Sequence, residues 1–374
     1  MPFHLTDEQE VIRQSVRELA ERELKPMAAI LDREHRPPLE NIETLAEMGI
    51  MGMILPSQYG GSDADHLSYT IAVEEVSRVC ATTGVMLAVH LGLACSIINT
   101  MGTEEQKQHY LPDMASGKAI GGFCLTEPGA GSDAAALSTA AEEDGSDYLI
   151  TGQKIFITNA GFAKVFIVMA RTTNGISAFI VERDMPGLTI SEPEHKMGIR
   201  GSSTCTLFFD KVRVPKSNML GEEGSGFKVA MKGLAGGRIR IAAQALGIAQ
   251  GAYEEGVKYA KERVQFGKPI AALQAIQWMV ADMATDIEAG RLLVYQAADM
   301  EDRGLEYTEA ASMAKLYCGP MATRVTHTAL QIHGGNGYIE GFPIERMYRD
   351  ARITEIYEGT SEIQRLVIAR AILR

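Results

Sequence analysis

The feature that most limits what this chain can fold into is a double change in the spacing of its apolar residues. Up to about residue 115 they recur at helical intervals: Val11, Ile12, Val16, Leu19 and Ala20 share a face, with charges between them. Leu45-Ala46-Glu47-Met48-Gly49 ends another helix at a glycine, Tyr59-Gly60-Gly61 makes a turn, and Tyr69 to Val79 and Gly84 to Asn99 read as two more helices. From about 116 to 220, strand-like runs lie between turns: Tyr148 to Ile157, Val165 to Arg171, Ile176 to Val181 and Thr206 to Val214. Asn174-Gly175 reads as a hairpin turn. Pro128-Gly129-Ala130-Gly131 and Pro186-Gly187 punctuate loops. From 221 the helical period returns, over Gly226 to Arg263, Ala271 to Arg303 and Thr308 to Ile332. Four or so long amphipathic helices joined by short loops predict a bundle. The expected class is α+β, mainly α: a helical domain over 1–115, a β-domain over 116–220 and a helical bundle over 221–374.

With 374 residues, 46% of them hydrophobic, the chain can bury a large core. A net charge of −12 and a pI near 5.3 exclude a basic footprint for nucleic acid. An anionic ligand would have to be held by local arginines and helix N-termini. Cys80, Cys95, Cys124, Cys205 and Cys318 are odd in number and form no CxxC pair, so a reduced, intracellular protein is expected. The scattered histidines predict no metal site. Leu5-Thr6-Asp7-Glu8-Gln9 reads as a helix start with a Thr-x-x-Gln box, so no secretory signal is expected. No apolar run is expected to reach membrane-spanning length, since Gly84 to Ile98 contains His90 and is too short.

Several stretches could carry chemistry. Glu358 precedes Gly359, and Thr360 or Ser361 offers an N-cap oxygen for the apolar-periodic helix that follows; Ser361-x-x-Gln364 fits a capping box. The helix dipole should favour the charged carboxylate there. A base reaching into a cleft and a solvated loop acid both fit. Phe123-Cys124-Leu125-Thr126-Glu127-Pro128-Gly129-Ala130-Gly131-Ser132-Asp133 is a glycine-rich loop open to a phosphate or a planar ring, or an ordinary turn. Phe156 and Thr158 share a strand face, suited to a heterocycle or simply to core and turn. Arg263 could hold pyrophosphate with its fork, or merely complement a helix C-terminus. Gly236-Gly237 interrupts a helix at roughly 1 kcal/mol per glycine relative to alanine, so something should pack closely there, a ligand or a partner helix. Arg238 and Arg240 follow with positive charge.

Taken in order, the motifs Leu125-Thr126-Glu127-Pro128-x-Ala130-Gly131-Ser132-Asp133, Gly152-x-Lys154-x-Phe156-Ile157-Thr158-Asn159, Arg263-x-Gln265-Phe266-Gly267-Lys268, Gln331-Ile332-x-Gly334-Gly335-x-Gly337-Tyr338, Arg349-Asp350-Ala351 and Ile356-Tyr357-Glu358-Gly359-Thr360 resemble the acyl-CoA dehydrogenase family. The resemblance spans essentially the whole chain. It implies an α-helical domain, a β-barrel-like domain and a four-helix bundle, with FAD in the cleft between the last two and partly bound by a neighbouring subunit of a homotetramer, a dimer of dimers. By that resemblance Thr126 and Thr158 contact the flavin, with Phe123, Leu125 and Gly131 in the same loop and Phe156 in an aromatic position that is often tryptophan. Ser132 meets the pyrophosphate and the thioester. Arg263, Gln265, Phe266, Gln274, Gln331, Gly334, Gly335, Thr360 and Glu362 hold the nucleotide end of FAD, and Arg238 and Gly359 lie at the substrate.

The implied reaction is FAD-dependent α,β-dehydrogenation of an acyl-CoA to the trans-2-enoyl-CoA, as in fatty-acid β-oxidation. Glu358 takes the α-proton, the β-hydrogen leaves as hydride to flavin N5, and the Glu358 N–H with a ribityl hydroxyl stabilises the thioester oxygen. An electron-transfer flavoprotein reoxidises the flavin. Relatives that place the base on the long helix would need it at position 237, which is glycine here. The arginine of glutaryl-type enzymes is missing between Gly84 and His90. A short-to-medium, branched or cyclic acyl-CoA is expected, in the cytoplasm of a prokaryote or, for a processed eukaryotic chain, the mitochondrial matrix. An enoyl-CoA reductase or acyl-CoA oxidase on the same fold, and a non-catalytic acyl-CoA-binding scaffold, are the alternatives.

Overall fold

The computed structural model describes residues 4–373. The chain opens with helices α1 (Asp7–Leu19), α2 (Lys25–Glu34), α3 (Leu39–Glu47), α4 (His66–Val79), α5 (Ala81–Val89), α6 (Ser96–Met101) and α7 (Glu104–Ala115). The Thr6 box forms as the sequence predicts: the Gln9 N–H donates to Thr6 Oγ1 at 3.2 Å, and the Thr6 N–H to Gln9 Oε1 at 3.0 Å.

The helix expected over Gly84 to Asn99 is longer and not uniform. It runs from Ala81 to Met101, widened into a π-turn at His90–Cys95 between α5 and α6. His90 gives the turn a purpose. Its ring is fully buried, Nδ1 accepts the Gly121 N–H at 3.0 Å, and Nε2 lies 3.1 Å from the Met114 carbonyl oxygen. Burial pushes the ring's pKa down to about 4, so it is neutral. The expectation that no apolar run reaches membrane-spanning length is corrected here: Ala81–Met101 is long and apolar enough, but 94% of its most apolar stretch is buried inside the protein.

The strands of the main sheet all lie between Gly121 and Leu220: β1 (Gly121–Cys124), β2 (Ala140–Asp144), β3 (Asp147–Thr158), β4 (Val165–Thr172), β5 (Gly175–Glu182), β6 (Leu188–Ile190), β7 (Thr204–Pro215) and β8 (Met219–Leu220). Their order is β6-β7-β3-β2-β4-β5-β8, with β1 parallel to β4. Polar β2 and short β6 and β8 carry too little apolar pattern to be read from sequence. In β4 alternate side chains enter different cores. Val165, Ile167 and Met169 join the core shared with the helices, whereas Phe166, Val168 and Ala170 line a second core on the sheet's other face.

The third part holds α8 (Gly226–Glu262), a small hairpin β9 (Val264–Gln265) and β10 (Lys268–Pro269), then α9 (Gln274–Asp302), α10 (Thr308–His333), α11 (Pro343–Ala351) and α12 (Ser361–Ile372). Among the described residues only three of these helices are long. The 12-residue α12 completes the bundle by packing on α10, after a connection that carries α11, so the short-loop expectation fails there. Helix α8 also packs on α4, which ties the first and third parts into one core. Glycines permit that crossing: a Cβ on Gly247 would lie 2.2 Å from the Glu74 carbonyl oxygen, and one on Gly251 2.0 Å from that of Arg78.

Candidate active site

Glu358 sits in the turn between the 3-10 segment Arg352–Glu355 and α12, with φ +53 followed by Gly359 at φ +100. A left-handed conformation costs a non-glycine residue roughly 1–2 kcal/mol, so its surroundings must impose it. They do so from three helices. The Gly359 carbonyl oxygen accepts the Lys315 ammonium at 2.5 Å and the Gln364 amide at 2.9 Å. Tyr357 donates its hydroxyl to Gln244 Oε1 of α8. The N-cap is Thr360, whose Oγ1 accepts the Ile363 N–H at 3.4 Å. The expected Ser361-x-x-Gln364 box is therefore corrected: Gln364 turns back onto Gly359 instead.

The Glu358 carboxylate points at α8. A Cβ on Gly237 would lie 2.2 Å from Glu358 Oε2 and 3.2 Å from Leu93 Cδ2. What packs against the mid-helix glycine is the acid of this same chain. Oε2 is buried with no hydrogen-bond partner. Burial pushes the Glu358 pKa up to about 7, opposed by the charges of Lys315, Arg238 and Arg240. This overturns the expectation that the helix dipole leaves the charged form favoured: desolvation outweighs it. The Glu358 N–H also has no acceptor among the described residues.

Arg238 is buried beside Glu358, its Nη1 at 3.4 Å from Ser312 Oγ and its Nε without a partner. Arg240 faces the same carboxylate but is bound to Glu301, lies with Nη2 2.6 Å from His66 Nδ1, and sits over the Tyr69 ring. One turn before Gly237, a Cβ on Gly233 would lie 2.9 Å from Ile97 Cδ1. Leu93 and Ile97 thus close the space between α8 and the π-turn helix directly beside the carboxylate.

The glycine-rich loop lies at the end of β1. Glu127 and Ala130 exchange backbone hydrogen bonds at 3.1 Å, closing the turn through Pro128 and Gly129. A buried ion pair, which the alternating pattern of β3 conceals, holds it. The Lys154 ammonium donates to Glu127 Oε1 at 2.7 Å and to the Leu125 carbonyl at 3.0 Å. Glu127 also accepts from the Ser138 N–H and hydroxyl and the Thr139 N–H. These bonds hold its pKa down to about 2, against burial. Phe156 stands on a bulge of β3 at φ +59 and is 63% exposed. The hydroxyls of Thr126, Ser132 and Thr158 make no hydrogen bond among the described residues, and a Cβ on Gly129 or Gly131 would meet nothing within 4 Å. Phe123 is half-buried and Leu125 buried behind the loop. Exposed aromatic, unused hydroxyls and open glycines together fit a flat, polar-edged cofactor. The π-turn joins this loop to the Glu358 carboxylate, with His90 bound to Gly121 at the start of β1 and Leu93 against Gly237.

A second group lies elsewhere. Arg263, Gln265 and Phe266 form the exposed hairpin after α8, with Phe266 at φ +53 and 88% exposed; Gln274 is exposed at the start of α9. Gln331, Gly334 and Gly335 end α10 nearby, where Tyr259 stacks on His333 at 4.4 Å and accepts the Asn336 amide at 3.0 Å. Lys315 and Gln331 are about 24 Å apart along α10 at 1.5 Å per residue. The structure thus brings Gly359, Thr360 and Arg238 to Glu358, with Glu362 exposed one turn on, but leaves the hairpin group apart. Among the described residues no cluster of His, Cys, Asp or Glu could hold a metal ion, and all five cysteines are buried thiols.

Family models match three consecutive segments: acyl-CoA dehydrogenase N-terminal domain over 6–118, middle domain over 122–212 and C-terminal domain over 224–373. The chain is 53% identical over 379 residues to a short-chain specific acyl-CoA dehydrogenase of Clostridium acetobutylicum, covering 100% of both. It is 49% identical over 381 residues to an acryloyl-CoA reductase (NADH) of Anaerotignum propionicum, covering 100% of this chain and 96% of the other. The solved butyryl-CoA dehydrogenase of Megasphaera elsdenii superposes with a TM-score of 0.97 at 45% identity, covering 100% of each chain.

Proposed function

The chain belongs to the acyl-CoA dehydrogenase family, and on that premise we propose that it oxidises a short acyl-CoA thioester to the trans-2-enoyl-CoA with Glu358 as the base. FAD is its cofactor. The observation that carries this reading is the buried, partnerless Glu358 Oε2, with a pKa near 7 and no room beside it for any residue but glycine at 237.

Bound FAD supplies the two-electron acceptor that takes the β-hydrogen with its electron pair. The chain supplies the rest. Glu358 Oε2 accepts the α-proton, and desolvation makes it a stronger base than a solvated glutamate. Charge developing on the thioester oxygen meets the free Glu358 N–H, with Arg238 as the buried cation alongside. Thr126, Thr158 and Phe156 bear on the flavin ring, and Ser132 with the open backbone at Gly131 on the pyrophosphate and thioester. Thr360 caps α12 beside the base, with Glu362 one turn on. Arg263, Gln265, Phe266, Gln274, Gln331, Gly334 and Gly335 serve the nucleotide half of a neighbouring subunit's FAD, within a homotetramer. Their exposure and their distance from Glu358 support that division. The segments 1–115, 116–220 and 221–374 are its helical, β and bundle domains, an electron-transfer flavoprotein is its acceptor, and the cytoplasm its compartment.

A short acyl group is favoured because Leu93 and Ile97 touch α8 next to the carboxylate, which leaves little length for a chain. The first relative's short-chain specificity agrees. A second reading, reduction of a short enoyl-CoA, is favoured by the acryloyl-CoA reductase likeness, since one base serves both directions. Anaerobic flavin bleaching by butyryl-CoA, followed by the reoxidation rate in air and by NADH-driven enoyl-CoA reduction, separates the two. For the base itself, Glu358→Gln is expected to keep FAD but to bleach at least ~10²-fold more slowly. Near-normal bleaching would sink the assignment.

A further inference from the structure

Lys315 is a charged residue that the chemistry above leaves unused. It stands in the third turn of α10, is 2% exposed, and has no carboxylate within ion-pair distance among the described residues. Its one hydrogen bond goes to the neutral carbonyl of Gly359, directly after the base. Removing an ammonium from water costs several kcal/mol, so an opposing charge nearby must compensate. That charge is Glu358. We propose that Lys315 is a positioning residue for Glu358: its ammonium clamps the left-handed turn that aims the base, and its charge sets the pH at which the carboxylate is free to take a proton. The proposal rests on Glu358 being the base.

Every charged or titratable group facing Glu358 can be placed. Arg238 and Arg240 come from α8, Lys315 from α10, Tyr69 from α4 and Tyr357 from the turn itself. Of the three cations, Lys315 opposes the effect of burial most strongly. Arg240 is committed to Glu301, and Arg238 leans on Ser312. Lys315 in turn faces Glu355 and Glu362 as well as Glu358, with Arg238 against it. Burial pulls its own pKa down to about 8, so it still carries its proton where Glu358 gives one up. The cation thus trades some basicity of Glu358 for a carboxylate that is ionised near neutral pH.

The test is the pH dependence of anaerobic flavin bleaching by butyryl-CoA, in flavin-bound wild type and in Lys315→Gln, Lys315→Met and Lys315→Arg. Gln retains a donor to the Gly359 carbonyl without charge, Met has neither, and Arg has both. The rising limb is expected to move up by about one pH unit or more in Gln and Met, as for loss of a nearby opposite charge, and to stay in place in Arg. On the rising limb such a shift slows bleaching about tenfold at fixed pH. A limb that stays put in Lys315→Gln, or a loss equal at every pH, overturns the proposal. If Lys315→Met does not retain FAD, Lys315→Gln decides alone. Glu358→Gln separates the two failures. Normal bleaching there removes the base itself, whereas an inactive Glu358→Gln beside an unshifted Lys315→Gln removes only the role of Lys315.

Discussion

The two ends of α10 carry site residues in opposite conditions. At the Lys315 end, the turn bearing Glu358 is fixed by Lys315, Gln364 and the Tyr357–Gln244 contact, its carboxylate is buried, and its pKa is displaced. At the Gln331 end, Gln331, Gly334, Gly335 and the Arg263–Phe266 hairpin face outward, and the Arg263 guanidinium has no partner among the described residues. The first end is finished within one chain. The second leaves its donors exposed, as the proposed nucleotide site requires. Proton transfer demands a dry, rigid environment, whereas binding a nucleotide needs donors that stay accessible until it arrives.

Substitutions at the two ends should therefore fail differently. The largest effect is expected from Gly237→Ala, whose methyl would fall 2.2 Å from Glu358 Oε2. Displacing the carboxylate by about an ångström slows bleaching roughly 10²-fold, with FAD content unchanged. A rate within about threefold of wild type would mean that α8 does not locate the base. Next comes pH. Because burial raises the Glu358 pKa to about 7, wild-type bleaching should fall about tenfold per unit below that value. The linkage has a definite sign. The folded pKa lies above the unfolded value near 4.3, so this group's contribution to stability is fully present below the unfolded value and is lost as pH rises through about 7. Glu358→Gln removes this titration and should lose the decline in melting temperature as pH rises towards 7; a decline as steep as in wild type would count against the desolvated carboxylate. The smallest effect on the fold is expected at the other end. Arg263→Ala should change stability by no more than about 0.5 kcal/mol, as for an exposed side chain, while FAD dissociates faster on dilution. Unchanged FAD retention would take Arg263 out of the nucleotide site.

How much of this could be read beforehand depends on what a linear pattern records. The Thr6 box and the strand periods are local, and they form as expected. The cost of two mid-helix glycines signalled close packing at Gly237, but not that Glu358, 121 positions further on, occupies the space. Helix-end reasoning put a charged carboxylate at 358 because burial by α8 and α10 is a tertiary fact. Lys315, and the Glu127–Lys154 pair behind the glycine-rich loop, stayed hidden for a related reason: a lone charge in an apolar helix or strand reads as solvated. Gln364 satisfied the capping pattern and was then recruited by Gly359, a choice that only the Lys315 clamp makes visible.

Strand β4 has a consequence for how the molecule comes apart. Its alternate side chains are committed to two cores, so neither can open without stripping the opposite face of the same strand. Three segments separable by family pattern are thereby coupled into one thermodynamic unit. A defect in the sheet far from Glu358 is paid partly in helix packing, and the glycine-rich loop after β1 should melt together with the turn that carries Glu358 rather than before it.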